Sequence, residues 1–506
     1  MGFMQFKFSS HAVDKISADA VLVFAFAPSD KKTSYIPLTG LETVDALLKG
    51  QVTTLLELEK FSGKRGEMLK VIPNGLFAAS RVLVLGLGKK DEFVADDLRR
   101  VVGSTTKAFR KKVDSFAIVL PTDDEVTLEK SELAHLVGEA LLLGSYEFGK
   151  YKTDSKVERK LATVIIAEKD KNAQAQLKNG FEKAKLFADA TKLARDLVNE
   201  PPMIATPTYL ADLAKDIAKS SPQISVKVLD KAECEKMGME AFLGIARAAD
   251  TPPKFIHLEY QPKGKASKEK LAIVGKGITF DSGGINVKPG DHMADMKMDM
   301  AGAAVVLGVF SVISHIQPNF PVIGLIAATP NMISGNAIVP VDVVRAMNGK
   351  TIEVLNTDAE GRVTLADSLS YAVKEKATKI IDFATLTGAC MVALGPDISG
   401  LFSNNRDLAE EIKTAAFDAG EKVWELPLEK EYKAMNKSDV ADIANIPSSR
   451  YGGSLTAALF LEEFVANIPW AHLDIAGPAF INKPSEISMK GGTGHGVRTV
   501  LTMLSQ

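Results

Sequence analysis

The sequence predicts an α/β protein of two domains. The smaller N-terminal α/β domain has a mainly parallel sheet, and the larger C-terminal α/β domain has a central mixed sheet flanked by helices. Three observations predict this. Short apolar runs alternate with amphipathic stretches along the chain, as strands and helices do in layered folds. One long helical pattern over 173–199 ends on Glu200-Pro201-Pro202, and two prolines stop a helix firmly. A length of 506 residues suits more than one domain of ordinary size. The expected division is 1–172 for the first domain, 173–199 for a linker helix and 200–506 for the second.

In the first domain, strands are expected at 4–8, 21–27, 81–86, 115–120 and 162–167, with helices at 95–112 and 132–148. The segment is rich in Lys and Glu and shows no catalytic cluster of His, Cys or carboxylates. In the second domain, strands are expected at 224–229, 254–260, 271–275, 322–328, 351–355, 379–384 and 472–475. Several end in glycine- or carboxylate-bearing loops, where open α/β sheets place their sites. The lysine-rich stretch 263–270 reads as a solvated turn, with a phosphate-binding patch as the minor reading. From Met300 to Val341 there is no Asp, Glu, Lys or Arg. Ser311, Ser314 and His315 interrupt the run, and Gln317-Pro318-Asn319 ends its first part. That part therefore reads as a buried helix before a buried strand, since a membrane span needs about 20 apolar residues.

Composition excludes other classes. Apolar residues at 46% and charged residues at 25% exclude wholesale disorder, collagen and coiled coil. The net charge of −2 gives no global attraction to nucleic acid or an anionic membrane. Two cysteines, Cys234 and Cys390, cannot build a disulfide framework or a Cys-rich zinc site, and point to a reducing compartment. No basic n-region precedes an apolar h-region, and Phe6 stands where a myristoylation motif after Met1-Gly2 wants Ser or Thr. A cytoplasmic location is expected.

Three segments put carboxylates beside glycines at strand ends: 275–284 (GKGITFDSGG), 296–302 (MKMDMAG) and 356–362 (NTDAEGR). Asp358 and Glu360 lie on a turn between a strand and a helix and can converge on one point. Two carboxylates that close repel unless a positive group joins them, and divalent cations are a natural partner. Helix capping is the competing reading, because acids are favoured at helix N-termini. Asp281 precedes Gly283-Gly284, which let the backbone approach a ligand. Lys276 interrupts an apolar strand end. It reads as a phosphate binder or as an amine whose pKa a nearby metal lowers until it can ligate. Asp299, at the mouth of the apolar helix, supplies a fourth carboxylate if it is not a cap. Four carboxylates balance two divalent cations, which together can activate one water.

Other chemistries fail on spacing. The 275–280 stretch has Phe280 where the dinucleotide fingerprint needs its third glycine, and it lacks the Gly-Lys-Ser/Thr of a P-loop. Ser282 is in no nucleophile elbow, Cys390 has no adjacent base, and there is no His-Glu-x-x-His. His472 reads as a satisfied core residue, and His292 and His495 receive no role.

These segments resemble the leucyl aminopeptidase family, the dinuclear-metal cytosol aminopeptidases. The heptapeptide 356–362 looks like that family's signature. The segments 275–284, 296–304, 385–389 (TLTGA) and 194–202 (ARDLVNEPP) are similar to family motifs and come in the expected order. The strong resemblance covers roughly 194–477. It implies a catalytic C-terminal domain that holds two divalent metal ions, manganese or zinc, with magnesium or cobalt as further options. One metal would take Lys276, Asp281, Asp299 and Glu360. The other would take Asp281, Asp358 (also through its backbone carbonyl) and Glu360. Lys288 and Arg362 match the two catalytic residues that are not ligands, with a bicarbonate held by Arg362 as proton shuttle. Met296, Thr385, Gly388 and Ala476 would line the pocket for the first side chain. The substrate contacts would also include Lys276, Asp281, Asn286, Lys288 and Asp299. The substrates would be peptides with Leu-like N-termini, and the assembly a homohexamer.

Three departures leave loop shape and fine preference open: Asn286 for a usual Ser, Pro330-Asn331 for Glu-Asn, and Pro340-Val341-Asp342 for Pro-Gly-Asp. The competing readings are a dinuclear phosphoesterase, whose expected His ligands are missing near these motifs, a DNA-binding regulator, and a catalytically dead scaffold.

Overall fold

The computed structural model describes residues 4–29, 34–153, 160–264 and 267–505. Met1-Gly2, and Lys265 and Ala266 of the lysine-rich stretch, lie outside these. The chain forms two compact units, 1–188 with 483–489, and 189–482 with 490–506. The 29-residue helix Lys171–Asn199 runs across the division, and the return of 483–489 to the first unit is a feature no single linear boundary can express.

The first unit is built on a seven-stranded sheet. Its strands are β1 (Gln5–Ser9), β2 (Ala20–Ala27), β3 (Ile36–Pro37), β4 (Met68–Val71), β5 (Val82–Lys89), β6 (Ser115–Ile118) and β7 (Thr163–Ala167). The order β1-β7-β6-β2-β5 is parallel throughout, and β4 adds antiparallel at the edge. All eight residues of β2 are buried, as a run of Ala, Val, Leu and Phe requires when both sheet faces are covered. Leu22, Phe24 and Phe26 pack with the helices Ala95–Phe109 and Lys130–Gly144. Val21, Val23 and Ala25 point the other way, toward Thr39–Leu47 and Gln51–Leu58.

The second unit carries an eight-stranded mixed sheet. Its strands are β8 (Ile224–Leu229), β9 (Lys254–Tyr260), β10 (Leu271–Asp281), β11 (Val322–Asn331), β14 (Lys379–Ala384), β15 (Ser399–Ser403), β16 (Val423–Glu425) and β18 (Trp470–Asp474). A separate three-stranded sheet holds β12 (Asp342–Arg345), β13 (Thr351–Val354) and β17 (Ile443–Ala444). The main order is β16-β15-β18-β14-β10-β11-β9-β8, and the central four, β18-β14-β10-β11, are mutually parallel. The helix Ala301–Phe310 is buried along its whole length, which accounts for its lack of charge. It gives way to the short helix Ile313–Ile316, and Gln317 at φ 58° ends the pair.

At the third sequence departure, Val341 sits at φ 74°. A β-branched residue is strained in that region, where the usual glycine would sit freely. Among the described residues no helix is long and apolar enough to cross a membrane.

Candidate metal centre

Parallel pairing turns the carboxyl ends of β18, β14, β10 and β11 toward one edge of the sheet. Asp281 ends β10, Asn331 ends β11, Thr385 follows β14 and Asp474 ends β18. The helix Glu360–Lys374 brings a further carboxylate to the same edge.

Lys276 lies inside β10 and is buried. Its Nζ is 2.9 Å from Asp299 Oδ1 and 2.8 Å from Glu360 Oε1, and it donates to the Thr385 carbonyl at 3.0 Å. Gly361 makes this possible. A Cβ there would lie 2.6 Å from Lys276 Cε and 2.7 Å from its Nζ, so any larger residue would displace the amine. Burial pulls the Lys276 pKa down, but Asp299, Glu360 and Asp281 outweigh it and hold it above the usual lysine value.

Lys288 bridges the other two acids. Its Nζ is 2.8 Å from Asp281 Oδ2 and 2.6 Å from Asp358 Oδ1. Burial opposes its charge, yet Asp281 and Asp358 raise its pKa above the ordinary value. Gly283, at φ 87°, forms the turn between these groups, and a Cβ on it would come within 2.8 Å of Asp358 Oδ1.

These acids do not cap their helices. The helix Ala301–Phe310 has Met300 as N-cap and the helix Glu360–Lys374 has Ala359, and neither N-terminus has a side-chain cap bond. Asp299, Asp358 and Glu360 are instead turned toward one another and the lysines. Oxygens of Asp281, Asp358 and Glu360 lie within 4.8 Å of one another, close enough to share a cation. Asp299 Oδ2 and Glu360 Oε2 are buried and have no hydrogen-bond partner. A buried, unpaired carboxylate oxygen is costly. Burial raises the pKa of Asp299, of Glu360 and, less completely, of Asp358, with neighbouring acids adding to it and the lysines opposing. Four carboxylates thus face two ammonium groups. This oxygen-rich excess of negative charge suits hard divalent cations.

Arg362 is buried two residues beyond Glu360. Its Nη1 donates to the Asn445 carbonyl at 2.9 Å, while its Nε has no partner. Burial lowers its pKa to about 10, against the pull of Glu360 and Asp474, so it stays cationic at neutral pH. Thr385 is buried and donates from its hydroxyl to Asp299 Oδ1 at 2.7 Å. Gly388 opens the helix Gly388–Leu394, Ala476 follows β18, and Met296 begins the 3-10 turn before Asp299. Asn286 is exposed on the 283–288 loop. Its Oδ1 accepts from the Thr357 backbone N–H at 2.9 Å, so the side chain ties that loop to the signature turn.

Four supporting residues received no role from the sequence. Asn331 Nδ2 donates to Asp281 Oδ1 at 2.8 Å and to the Thr357 carbonyl at 3.0 Å. Thr357 donates to the Gly283 carbonyl at 2.7 Å. Asn445 Nδ2 donates to the Asn356 carbonyl at 2.7 Å. Asp474 Oδ2 accepts from the Thr387 hydroxyl, on the loop after β14, at 2.7 Å. A polar residue closing an apolar strand was the available signal for Asn331 and Asp474. A cavity of about 360 Å³ bordered by Pro202, Met203, Phe280, Pro330 and Met332 takes in none of the predicted site residues.

Comparison with known proteins places the chain in a family. Residues 192–501 match the model of the cytosol aminopeptidase family, catalytic domain, and residues 20–155 match that family's N-terminal domain. A probable cytosol aminopeptidase of Aquifex aeolicus (strain VF5) is 49% identical over 449 residues, covering 88% of each chain. One of Alkaliphilus oremlandii (strain OhILAs) is 40% identical over 502 residues, covering 98% of each. Among solved structures, a mutant of tomato leucine aminopeptidase superposes with a TM-score of 0.88 at 36% identity, covering 100% of this chain and 97% of that one. The bottromycin maturation enzyme BotP in complex with Mn gives a TM-score of 0.83 at 31% identity, covering 97% and 99%. The two domain models and these relatives lead to one conclusion: the chain belongs to the cytosol aminopeptidase family, and it is a hydrolase of the aminopeptidase class.

Proposed function

We propose that this metallo-aminopeptidase holds two divalent cations and releases N-terminal amino acids, Leu-like ones preferred, from peptides. One observation carries the reading. An oxygen of Asp281, at the end of β10, and oxygens of Asp358 and Glu360, from the 356–362 turn, lie within 4.8 Å of one another beside the unpartnered oxygens of Asp299 and Glu360. One cation is assigned to Lys276, Asp281, Asp299 and Glu360, and the other to Asp281, Asp358 and Glu360. Manganese or zinc suits this set, with magnesium or cobalt as alternatives, and BotP, a relative in fold, was solved with Mn. Bound there, the cations supply a low-pKa water, an anchor for the substrate α-amine and polarisation of the scissile carbonyl.

The chain's own groups complete the chemistry. Two dications would offset the four carboxylates, and Lys276 would then hold its cation through the neutral amine. Lys288 places an ammonium where negative charge develops on the carbonyl oxygen. Arg362, with its Nε unpartnered, is the group to hold a bicarbonate as proton carrier, because an arginine is itself no base. Met296, Thr385, Gly388 and Ala476 form the apolar pocket for the first side chain, and Asn286 shapes its rim. The family resemblance supports a cytoplasmic homohexamer as the working assembly.

The test is direct. Manganese-loaded protein is expected to hydrolyse leucine p-nitroanilide. Arg362→Ala is expected to lower kcat roughly 100-fold, as loss of a proton-transfer group does, while KM stays within about threefold. Absence of hydrolysis with manganese, zinc, magnesium and cobalt alike would overturn the proposal.

A further inference from the structure

Asp474 ends β18, and none of the chemistry above uses it. It is completely buried. Its Oδ1 accepts from the backbone N–H groups of Leu386 at 3.2 Å, Thr387 at 3.4 Å and Ala476 at 3.1 Å. Its Oδ2 accepts from the Thr387 hydroxyl at 2.7 Å. That hydroxyl also accepts from the Cys390 backbone N–H at 3.0 Å, which caps the helix Gly388–Leu394. One carboxylate therefore ties the loop after β14, the start of the next helix and the chain leaving β18 into a single unit.

Those tied segments carry three of the four pocket residues: Thr385, Gly388 and Ala476. Thr385 also links the unit to the metal cluster, through its carbonyl to Lys276 and its hydroxyl to Asp299. The choice of residue fits this task. An ionised carboxylate only accepts, and it offers enough lone pairs for four converging donors. An amide of the same shape would turn a donor toward the Thr387 hydroxyl. Burying a full charge is costly, so packing alone would not favour it.

We propose that Asp474 is a positioning residue that fixes the pocket for the substrate's first side chain, and thereby sets the discrimination between large and small N-terminal residues. The inference rests on the pocket assignment under the proposed function. Asp474 acts through Thr387 and Ala476 and touches neither the substrate nor the carboxylate cluster. A site whose supporting contacts are loosened remains present but loses precision.

The experiment compares manganese-loaded wild type with Asp474→Asn, Thr387→Val and Thr387→Ser. It measures bound manganese, and kcat and KM for leucine and alanine p-nitroanilide. Asp474→Asn and Thr387→Val are expected to keep the wild-type manganese content. Their leucine-to-alanine ratio of kcat/KM is expected to fall about tenfold, mostly through the leucine KM, the scale on which apolar pockets sort side chains. Thr387→Ser keeps the hydroxyl and is expected to hold the wild-type ratio within about twofold. An equal loss on both substrates, or an unchanged ratio, overturns the proposal. Thr387→Val decides the matter if Asp474→Asn does not fold. A wild type that turns over neither substrate overturns the functional reading and this one with it. An active wild type whose variants keep its ratio overturns this one alone.

Discussion

Glu360→Ala is expected to lower kcat/KM for leucine p-nitroanilide by about 1,000-fold or more, roughly 4 kcal/mol of transition-state stabilisation. Glu360 is where the two halves of the site meet. Its Oε1 pairs with Lys276 at 2.8 Å, and one of its oxygens lies within 4.8 Å of an oxygen of Asp281 and an oxygen of Asp358. Both proposed cations share it, so its loss removes a ligand from each. The fold is expected to survive. Alanine suits the first turn of a helix, and Lys276 keeps Asp299 at 2.9 Å as a counter-ion. Removing a buried carboxylate whose pKa burial has already raised also relieves part of its desolvation cost. Circular dichroism should match wild type, while cation binding falls below two per chain. Activity within tenfold of wild type would remove Glu360 from the site.

The second large effect concerns Lys288. Lys288→Met keeps most of the side-chain length and removes the charge. Loss of one group stabilising a developing oxyanion typically costs about 100- to 1,000-fold in kcat. The expected result is a fall of that size in kcat with two cations still bound and KM changed little. Lys288 spans Asp281 and Asp358 at 2.8 and 2.6 Å, so a placement role for those acids is the rival account. The cation count separates the two. If cation binding falls in step with kcat, Lys288 arranges ligands and does not act on the carbonyl.

The charged groups of the candidate site were legible by position. Lys276 stands inside an apolar strand, Asp299 precedes an uncharged helix, and Asp358 and Glu360 lie on the polar turn between a strand and a helix. The lysine was misleading in one respect: the pattern ended that strand at 275, yet β10 continues to Asp281. A charged side chain ends an apolar run on paper. In the fold, Asp299 and Glu360 compensate it, and the strand passes through.

Asp474 was hidden for a related reason. It follows His472 and Leu473 in an apolar strand, and its donors lie 87 to 88 residues away on the loop after β14, or locally at Ala476. Asn445 lies 83 residues from Arg362, and no local spacing announces that pairing.

The fold shows the same division. Strand β2 was readable because every residue in it is apolar and buried. The helices Thr39–Leu47 and Gln51–Leu58 were not foreseen. They are short, and their N-caps, Leu38 and Gly50, make no side-chain cap bond. Such helices depend on packing against the sheet, here through Leu41, Val44, Val52 and Leu56. His472 was expected to be a satisfied core residue. Its Nδ1 does pair with Asp382 Oδ1 at 2.6 Å, but its buried Nε2 has no partner.

The central claim is that cations held by these carboxylates are required for peptide hydrolysis, and one titration tests it most directly. Protein stripped with a chelator is titrated with manganese while bound metal and leucine p-nitroanilide hydrolysis are followed together. The account predicts no activity in the stripped protein, saturation at two cations per chain, and recovery of activity as the sites fill. Full activity in stripped protein, with bound metal well below one cation per chain, would contradict it.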